Sequence, residues 1–273
     1  MVLRRGIRRL EPALGKDAPR DARALMAHVL DVEPGQLTGV LNRIAVPAQI
    51  SRFEHLVKRR LAHEPVSQII GHRLFWGRRF RITRDVLDPR PETEVLIDRA
   101  LRTPAAHILD LGTGSGAILL TLLAEWHMAA GTGVDTSDAA LDVAAENARM
   151  LGVAPRATLR QGNWFRTVEG IFDLIVSNPP YVTAAEYEEL QPEIREWEPT
   201  QAITPGGDGL GGYRAILREV WDHLLPGGRL IVEIGPSQAT AVCALFVAAG
   251  FMQPQVFADL DRRDRVIEAK KPV

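Results

Sequence analysis

The sequence is poor in residues that crosslink a chain or hold metals. Its 273 residues include one cysteine, Cys243, which cannot form an internal disulfide and which we interpret as core filler in a helix. The seven histidines have no cysteine partners and no paired ligand spacing, so we predict no zinc or other metal site. This cysteine usage favours a cytoplasmic protein.

Long hydrophobic runs are also absent. The most apolar stretch, residues 117–130, is interrupted by Glu125 and His127, and residues 1–15 contain arginines but no uninterrupted apolar segment. We therefore predict neither a signal peptide nor a transmembrane helix. The chain is long enough for one large domain or two modest ones.

The net charge of −1 hides an uneven distribution. Residues 1–75 contain 13 Lys and Arg against 7 Asp and Glu, a net charge of +6, whereas residues 76–273 contain 20 against 27, a net charge of −7. The basic part is either an ordinary solvated surface or a surface that docks an acidic protein or RNA. For a docking surface, the candidate residues are Lys58, Arg59 and Arg60.

Apolar periodicity divides the chain into three parts. Residues 1–70 have helical spacing, as in Phe53 and Leu56, and predict a small all-helical domain. Alternation within residues 71–88 predicts a β-hairpin linker. Residues 89–273 alternate strands with helices over short turns, which is typical of an α/β domain with a doubly wound parallel sheet. We predict its strands at residues 107–111, 131–135, 157–160, 171–177, 229–234, 254–258 and 265–269.

A glycine-rich loop follows the first of these strands. The stretch from Gly112 to Gly116, Gly-Thr-Gly-Ser-Gly, lets a ligand approach the backbone at the amino end of a helix. Asp135 ends the second strand, where its carboxylate can accept hydrogen bonds from both hydroxyls of a ribose. Because Gly112, Gly114 and Ala117 also fit the dinucleotide pattern, the loop by itself is compatible with an NAD enzyme as well.

Two residues after the third strand are candidates for the base of a nucleoside. Asn163 and Trp164 would place a polar edge and a planar wall beside an adenine. Ordinary packing of Trp164 in the core is the alternative.

The fourth strand ends in Ser177-Asn178-Pro179-Pro180-Tyr181. The two prolines cannot continue a ladder, so the strand breaks at the edge of the sheet where α/β proteins bind ligands. Asn178 and a nearby backbone carbonyl are then two acceptors for one planar –NH2 group, and Tyr181 offers it an aromatic face. A simple proline turn is the alternative. The clamp favours an amino-group substrate over a nicotinamide enzyme, which would need a second substrate domain with a proton donor.

Together with Pro89-Arg90-Pro91-Glu92-Thr93-Glu94 and Gly206-Gly207-Asp208-Gly209-Leu210, these motifs resemble the protein-glutamine methyltransferases of the HemK/PrmC family. The resemblance extends from about Pro65 to the end. It implies a Rossmann-like class I S-adenosylmethionine-dependent methyltransferase fold with a helical amino-terminal domain. The implied methyl acceptor is the glutamine of the Gly-Gly-Gln motif in class I peptide chain release factors. Asp88 and Arg262 depart from the family pattern, which affects only local turn geometry.

The resemblance also implies the roles of single residues. The cofactor, S-adenosylmethionine, would be held by Gly112, Thr113, Gly114, Ser115, Gly116, Asp135, Asn163, Trp164 and Asn178. The glutamine amide would be held by Asn178, Pro179, Pro180 and Tyr181, and residues 1–70 would dock the protein substrate.

Several alternatives share these motifs. The chain could methylate a glutamine of a large-subunit ribosomal protein, or an amino group of RNA or DNA. The acidic catalytic domain argues against DNA. A catalytically silent binding module is disfavoured by the intact loop, Asp135 and the clamp. We expect a monomer that binds no membrane and no nucleic acid stably.

Overall fold

The computed structural model describes residues 2–40 and 46–273. The chain divides into two compact units, Met1–His72 with Gln191–Trp197, and Arg73–Leu190 with Glu198–Val273. Met1 and residues 41–45, which belong to the predicted helical domain, lie outside the described residues. The hairpin that we predicted as a linker falls within the second unit from Arg73 onward.

The first unit is helical. Its core contains Leu10, Leu25, Phe53 and Val57, all at most 1 % exposed. These side chains recur at helical spacing and so place one apolar face of each helix inward. Its helices are α1 (Val2–Leu14), α2 (Ala18–Leu30), α3 (Leu37–Val40), α4 (Pro47–Leu61), α5 (Val66–Ile70) and, from the distant segment, α10 (Pro192–Arg195).

Residues 191–197 belong to this first unit, whereas we had placed them in the catalytic domain. The indole Nε1 of Trp197 donates to the carbonyl of Ala62 at 3.1 Å, and Gln68 Nε2 donates to the carbonyl of Trp197 at 2.8 Å. Glu193 forms an ion pair with Arg60. Local sequence could not reveal this because the partners are more than 120 positions apart.

The basic cluster on α4 is not a single surface. Arg60 is buried, and its Nε lies 2.8 Å from Asp21 Oδ2. Arg59 is half-buried, and its Nε donates to Glu64 Oε2 at 2.7 Å, so only Lys58 is exposed. The prediction that all three side chains form a docking surface is therefore wrong for Arg60, whose charge is needed inside the unit.

The second unit is the α/β domain. It begins with the hairpin β1 (His72–Phe75) and β2 (Arg78–Arg81). The elements that follow are α6 (Glu94–Leu101), β3 (His107–Leu111), α7 (Ala117–Glu125), β4 (Ala130–Asp135), α8 (Asp138–Met150), β5 (Ala157–Gln161), β6 (Phe172–Ser177), α9 (Ala184–Glu189), α11 (Thr200–Ile203), α12 (Gly211–His223), β7 (Leu224–Glu233), α13 (Ala239–Ala248), β8 (Gln255–Ala258) and β9 (Asp264–Lys270).

The sheet has the strand order β5-β4-β3-β6-β7-β9-β8. The pairs from β5 to β7 are parallel, and β9 is antiparallel to both β7 and β8. The doubly wound sheet is confirmed, and every strand predicted in it is present. The winding reverses between β3 and β6, so the carboxyl ends of these two strands border a crevice.

β7 begins well before its predicted start at Arg229. We predicted this strand over residues 229–234, and the sequence before it, Pro226-Gly227-Gly228, is typical of a turn. Instead Leu224 pairs with Phe172, and a register shift between Phe172 and Leu174 accommodates the extra residues. Arg262, which departs from the family pattern, has a φ of +62° in the turn before β9.

A buried asparagine ties the hairpin to the sheet. Asn147 of α8 accepts from the backbone N–H of Arg81 at 2.7 Å and donates to the carbonyls of Arg81 and Ser115 at 3.2 and 2.8 Å. The side chain is fully buried, so each lost bond would leave a polar group without water. Asn147 thus supports the loop after β3 from behind. In the described parts of the chain, no helix is long and apolar enough to cross a membrane.

Candidate functional site

A cleft of about 310 Å³ lies where β3, β4 and β6 end. This volume falls within the range of small-molecule sites, roughly 300–1,000 Å³. Seven of the predicted site residues line it: Gly112, Gly114, Asp135, Asn163, Trp164, Asn178 and Pro180.

The glycine loop presents backbone to the cleft. Gly112 and Gly114 have φ of +75° and +53°, and a Cβ added at either would meet no atom within 4 Å on the protein side. The amides of Gly112 and Thr113 both donate to the carbonyl of Val134, at 2.8 and 3.0 Å. The loop is therefore anchored on the end of β4, with its two glycines facing open space that a ligand can fill.

The remaining loop residues shape the loop and do not line the cleft. Thr113 is buried, and its hydroxyl donates to Asp110 Oδ2 at 2.7 Å. Ser115 is also buried, and its carbonyl accepts from Asn147. Gly116 starts α7 with φ of +79°, and a Cβ there would lie 2.6 Å from Leu120. The structure does not bring these three side-chain positions to the cleft, because the loop turns inward to start α7.

Asp110 is a buried carboxylate to which the sequence assigned no role. Burial raises its pKa to about 7, against the lowering effect of hydrogen bonds from Thr113 and the amide of Leu119. Its Oδ1 atom has no hydrogen-bond partner within the residues described. Asp110 accepts hydrogen bonds from Thr113 in the loop and from Leu119 in α7, so it fixes the conformation of the loop.

Asp135 is held in place by two backbone amides. Its Oδ2 accepts from Gly114 N at 2.8 Å, and its Oδ1 accepts from Ser137 N at 3.0 Å. An ionised carboxylate has about four acceptor positions, so both oxygens can still accept from a ligand. Asp135 lines the cleft beside Gly114. The arrangement fits the two hydroxyls of a ribose.

Trp164 both packs and lines the cleft. Its ring lies about 3.4 Å from where a Cβ on Gly212 would stand, and the residue has φ of +55°. It is half-buried against the apolar cluster on that face of the sheet. Its neighbour Asn163 is exposed in the cleft. Trp164 therefore packs against this cluster and also lines the cleft.

The side chains of the four residues after β6 do not all reach the cleft. Asn178 and Pro180 line the cleft, whereas Pro179 is buried with its ring 2.9 Å from where a Cβ on Gly212 would stand. Asn178 Nδ2 donates to Thr93 Oγ1 at 3.4 Å. Its Oδ1 is therefore left to accept from a ligand, as the predicted clamp requires.

The structure does not bring the Tyr181 ring to the cleft. Its hydroxyl donates to Glu233 Oε1 at 3.3 Å and accepts from Arg265 Nη1 at 3.4 Å. Burial, with the neighbouring charge of Glu233, raises the pKa of Tyr181 above its ordinary value. A buried hydroxyl is most stable with polar partners, which explains why the ring turns toward Glu233 and Arg265.

One wall of the cleft was not predicted from the sequence. Pro199, Gln201, Ala202, Thr204 and Pro205 line it. The wall is anchored at its start by a buried carboxylate, since Arg90 Nη2 donates to both oxygens of Glu198 at 2.6 and 2.8 Å. No periodic pattern marks this stretch, which contains the short helix α11, so only its prolines could have indicated ordered structure.

The lining suits a nucleoside cofactor. Glycine backbone, a fixed carboxylate and an indole face share one cleft, and Asn178 stands at its edge. Across residues 2–40 and 46–273, no group of three or more His, Cys, Asp or Glu could hold a metal ion.

The sheet order, its antiparallel β9 and this crevice define the Rossmann-like fold of class I methyltransferases. A solved methyltransferase from Pyrococcus furiosus has the same fold, with a TM-score of 0.56 at 17% identity, and the match covers 82% of this chain and 100% of that one. Residues 1–71 match the family model of the PrmC N-terminal domain, and residues 84–197 match that of the methyltransferase small domain.

Two curated proteins match over nearly the whole chain. The release factor glutamine methyltransferase of Cereibacter sphaeroides is 54% identical over 271 residues, which is 99% of this chain and 98% of that protein. The release factor glutamine methyltransferase of Rhodospirillum rubrum is 41% identical over 99% of this chain and 84% of that protein. The chain belongs to the family of release factor glutamine methyltransferases.

The glycine-rich turn before α12 yields a stability prediction. Gly209 has φ of +75°, and a Cβ there would lie 2.3 Å from the carbonyl oxygen of Tyr181 and 2.9 Å from Gln238 Nε2. We expect Gly209→Ala to lower the free energy of unfolding by about 2–4 kcal/mol, because backbone strain and a clash add together. Denaturant unfolding monitored by tryptophan fluorescence measures this.

Gly206→Ala is the matched control. Gly206 has the same φ of +75°, but an added Cβ would meet no atom within 4 Å. It should cost only about 1–2 kcal/mol, the strain alone. Equal losses in the two variants would show that the contact with Tyr181 does not matter.

Proposed function

We propose that this chain transfers the methyl group of S-adenosylmethionine to the side-chain amide nitrogen of the glutamine in the Gly-Gly-Gln motif of class I peptide chain release factors. The observation that carries the proposal is that Asn178 lines the same cleft as Gly114 and Asp135. An acceptor for an amide –NH2 group thus stands beside a site for a nucleoside. Membership of the family supports the choice of substrate.

Different residues of the cleft bind different parts of the cofactor. Asp135 takes the ribose hydroxyls, the backbone of Gly112 and Gly114 allows close approach, and Asn163 and Trp164 border the adenine. The other loop residues do not contact the cofactor but maintain the conformation of the loop. They are Thr113, Ser115 and Gly116. When bound, the cofactor supplies a methyl group activated on a sulfonium.

Asn178 acts on the glutamine. An amide nitrogen is a poor nucleophile because its lone pair is delocalised into the carbonyl. If Asn178 Oδ1 and a nearby backbone carbonyl accept its two N–H bonds, they orient the nitrogen and stabilise the positive charge that grows on it. No strong base is needed within this clamp, because proton loss can follow the transfer.

The first unit serves the docking of the protein substrate. On α1, Arg4 and Arg8 are exposed and lie one turn apart, and Lys58 of α4 is exposed as well. Exposed arginines and lysines attract an acidic protein surface and raise the rate at which the two proteins associate. The catalytic cleft lies in the other unit, so docking and chemistry depend on separate residues.

The proposed enzyme acts as a monomer in the cytoplasm, where release factors work, without stable binding to nucleic acid. The deciding experiment offers labelled S-adenosylmethionine together with a class I release factor, a large-subunit ribosomal protein or RNA. We expect label on the glutamine of the release factor, located by mass spectrometry. Preferential labelling of the ribosomal protein or of RNA would overturn the proposal in favour of those alternatives, which the relatives do not favour.

Asp135 gives a prediction for cofactor affinity. Asp135→Ala should weaken binding of S-adenosylmethionine by about 1–3 kcal/mol, because the ribose hydroxyls lose a charged partner. Isothermal titration calorimetry measures the loss. Asp142→Ala, which removes an exposed carboxylate from α8 outside the cleft, is the control and should leave the affinity unchanged. Undiminished affinity in a folded Asp135→Ala protein would contradict the assignment.

Asn178 gives a prediction for catalysis. Asn178→Ala removes an acceptor whose bond strengthens as the nitrogen becomes positive, so the loss falls mainly on the transition state. We expect kcat to fall about 10²–10³-fold, roughly 2.7–4 kcal/mol, with cofactor affinity little changed. Single-turnover methylation of release factor at saturating cofactor measures this effect.

Asn178→Asp is the matched variant, because it keeps an acceptor oxygen and should retain more activity than the alanine variant. A melting curve excludes unfolding in either protein. Near wild-type turnover in a folded Asn178→Ala protein would show that Asn178 is only part of a proline turn and has no role in catalysis.

The docking role gives a prediction for substrate affinity. The double variant Arg4→Glu/Arg8→Glu should raise KM for the intact release factor about 5–50-fold, because attraction becomes repulsion. KM for a short Gly-Gly-Gln peptide should stay the same, since the peptide reaches only the cleft. Steady-state methylation of the two substrates measures both constants.

The control carries the same charge change in the other unit. Arg218→Glu/Lys270→Glu reverses two exposed cations of the second unit and should alter neither KM. If the control raises KM for the release factor as much as the α1 variant does, general charge and not docking at α1 is responsible.

A further inference from the structure

A second groove of the α/β domain has no role in the function proposed above. Its volume is about 500 Å³, and it is formed by the segment after the clamp together with α9, by the turn before α12 and by the start of α13. Tyr181 and Val182 line this groove, whereas Asn178 and Pro180 line the cleft. We call it the side groove.

The side groove and the cleft lie on opposite sides of β6. The cleft is formed where β3, β4 and β6 end, whereas the side groove includes Gly235, just beyond the end of β7. Because β6 and β7 are parallel neighbours, both sites are at the same edge of the sheet. The three residues from Asn178 to Tyr181 span at most about 10 Å. A polypeptide whose glutamine reaches Asn178 can therefore place its next residues in the side groove.

The buried part of the side groove offers no charged group. Gln238 is 9 % exposed, and its Nε2 donates to the carbonyl of Tyr181 at 2.9 Å. Its Oε1 accepts from the amide of Gly235 at 3.0 Å and from the Tyr213 hydroxyl at 3.3 Å. Much of the remaining lining is apolar, namely Val182, Leu190, Leu210, Pro236 and Ala241. Such a surface suits an apolar side chain.

The rim of the side groove is negatively charged. The described residues that line it include Glu186, Glu189 and Asp208 but no lysine or arginine. Asp208 is paired with Arg214, whose Nη2 lies 2.6 Å from its Oδ2. The Glu186 carboxylate accepts from the amide and hydroxyl of Thr183 at 2.9 and 2.8 Å, which leaves its charge unbalanced. Both glutamates are exposed, so two negative charges remain available to a ligand.

An apolar lining with a negative rim fits a protein segment that carries an apolar side chain and a lysine or arginine. It does not fit a nucleic acid, because the carboxylates would repel the phosphates. The side groove also continues from the clamp, which holds an amide –NH2 group. The occupant is therefore the protein that carries this amide and not a separate partner.

We propose that the side groove binds the segment of the methyl-accepting protein next to the methylated glutamine, and that it selects an apolar residue together with a cation there. The inference rests on the proposed function, since it takes the substrate to be a protein whose glutamine binds at Asn178. The side groove contributes to substrate affinity and takes no part in the methyl transfer. This contact is additional to the one proposed for α1.

Filling the side groove tests its role. Ala241→Arg introduces a long side chain and a positive charge at an exposed position that lines the groove. We expect KM for the release factor to rise about 10–100-fold, with kcat unchanged. The affinity for S-adenosylmethionine should stay the same, which also shows that the variant is folded. KM for a short Gly-Gly-Gln peptide should not change, since the peptide reaches only the cleft.

Ala248→Arg is the matched control. Residue 248 is exposed on the same face of α13, about two turns beyond residue 241, and does not line the side groove. The control should keep the wild-type KM for both substrates. Equal KM values in the Ala241→Arg and Ala248→Arg proteins would overturn the proposal.

Reversing the charge of the rim tests the choice of a cation. Glu189→Lys should raise KM for the release factor about 5–50-fold at low ionic strength, and added salt should reduce the effect because it screens exposed charges. Asp142→Lys makes the same charge change on α8, outside both the cleft and the side groove, and should leave KM unchanged. A wild-type KM in Glu189→Lys, or an equal rise in the control, would contradict the proposal.

A crosslink locates the bound segment without relying on activity. In a Cys243→Ser background, which removes the native thiol, Ala241→Cys is labelled with a benzophenone maleimide and irradiated with the release factor and S-adenosylhomocysteine. We expect mass spectrometry to find the crosslink within about 10 residues of the glutamine. Crosslinks confined to other parts of the release factor, or no more crosslinking than from Ala248→Cys, would overturn the proposal.

These measurements separate the inference from the proposed function. If the wild type labels the ribosomal protein and not the release factor, the substrate assignment fails, and a crosslink beside the glutamine of that protein preserves the role of the side groove. If only RNA is labelled, both fail. If methylation of the release factor is normal and Ala241→Arg leaves its KM unchanged, only the role of the side groove fails.

Discussion

Pro179 and Pro180 have no backbone N–H, so the ladder of β6 cannot extend beyond Ser177. This break falls at the edge of the sheet where β3 also ends, and Asn178 therefore faces the crevice between the two strands. Because the prolines also restrict φ, the chain turns sharply and carries Tyr181 away from the cleft. The cleft, the clamp and the buried network behind it all depend on this interruption.

Buried polar groups organise the region around the break. Asp110 supports the glycine loop, Glu198 binds Arg90 at the start of the missed wall, and Glu233 accepts from the hydroxyl of Tyr181. Buried charges cost free energy unless they are paired, so they are a poor way to add stability. Here they hold backbone segments that are far apart in sequence in one arrangement, which matches the need of a methyl transfer for accurate placement.

The parts of the fold that follow from local pattern could be predicted. Every strand of the sheet was located, since apolar strands bounded by glycine or proline are encoded over a few residues. Gly112, Gly114, Asp135 and Asn178 could be assigned to one edge for the same reason, because parallel strands end on the same side of a sheet. The family could also be predicted, because its motifs are short and contiguous.

The sequence by itself therefore determined the fold class, the family and the side of the sheet that carries the site. Only the tertiary structure decided which side chains reach the cleft. Tyr181 turns toward Glu233 and Arg265, Thr113 toward Asp110, and Arg60 into ion pairs within the first unit. The physical reason is that a buried polar side chain points toward partners that satisfy it. Asp110 is a sequence neighbour of Thr113, but the partners of Tyr181 and Arg60 lie on distant strands and helices, so packing and not spacing along the chain sets their distance.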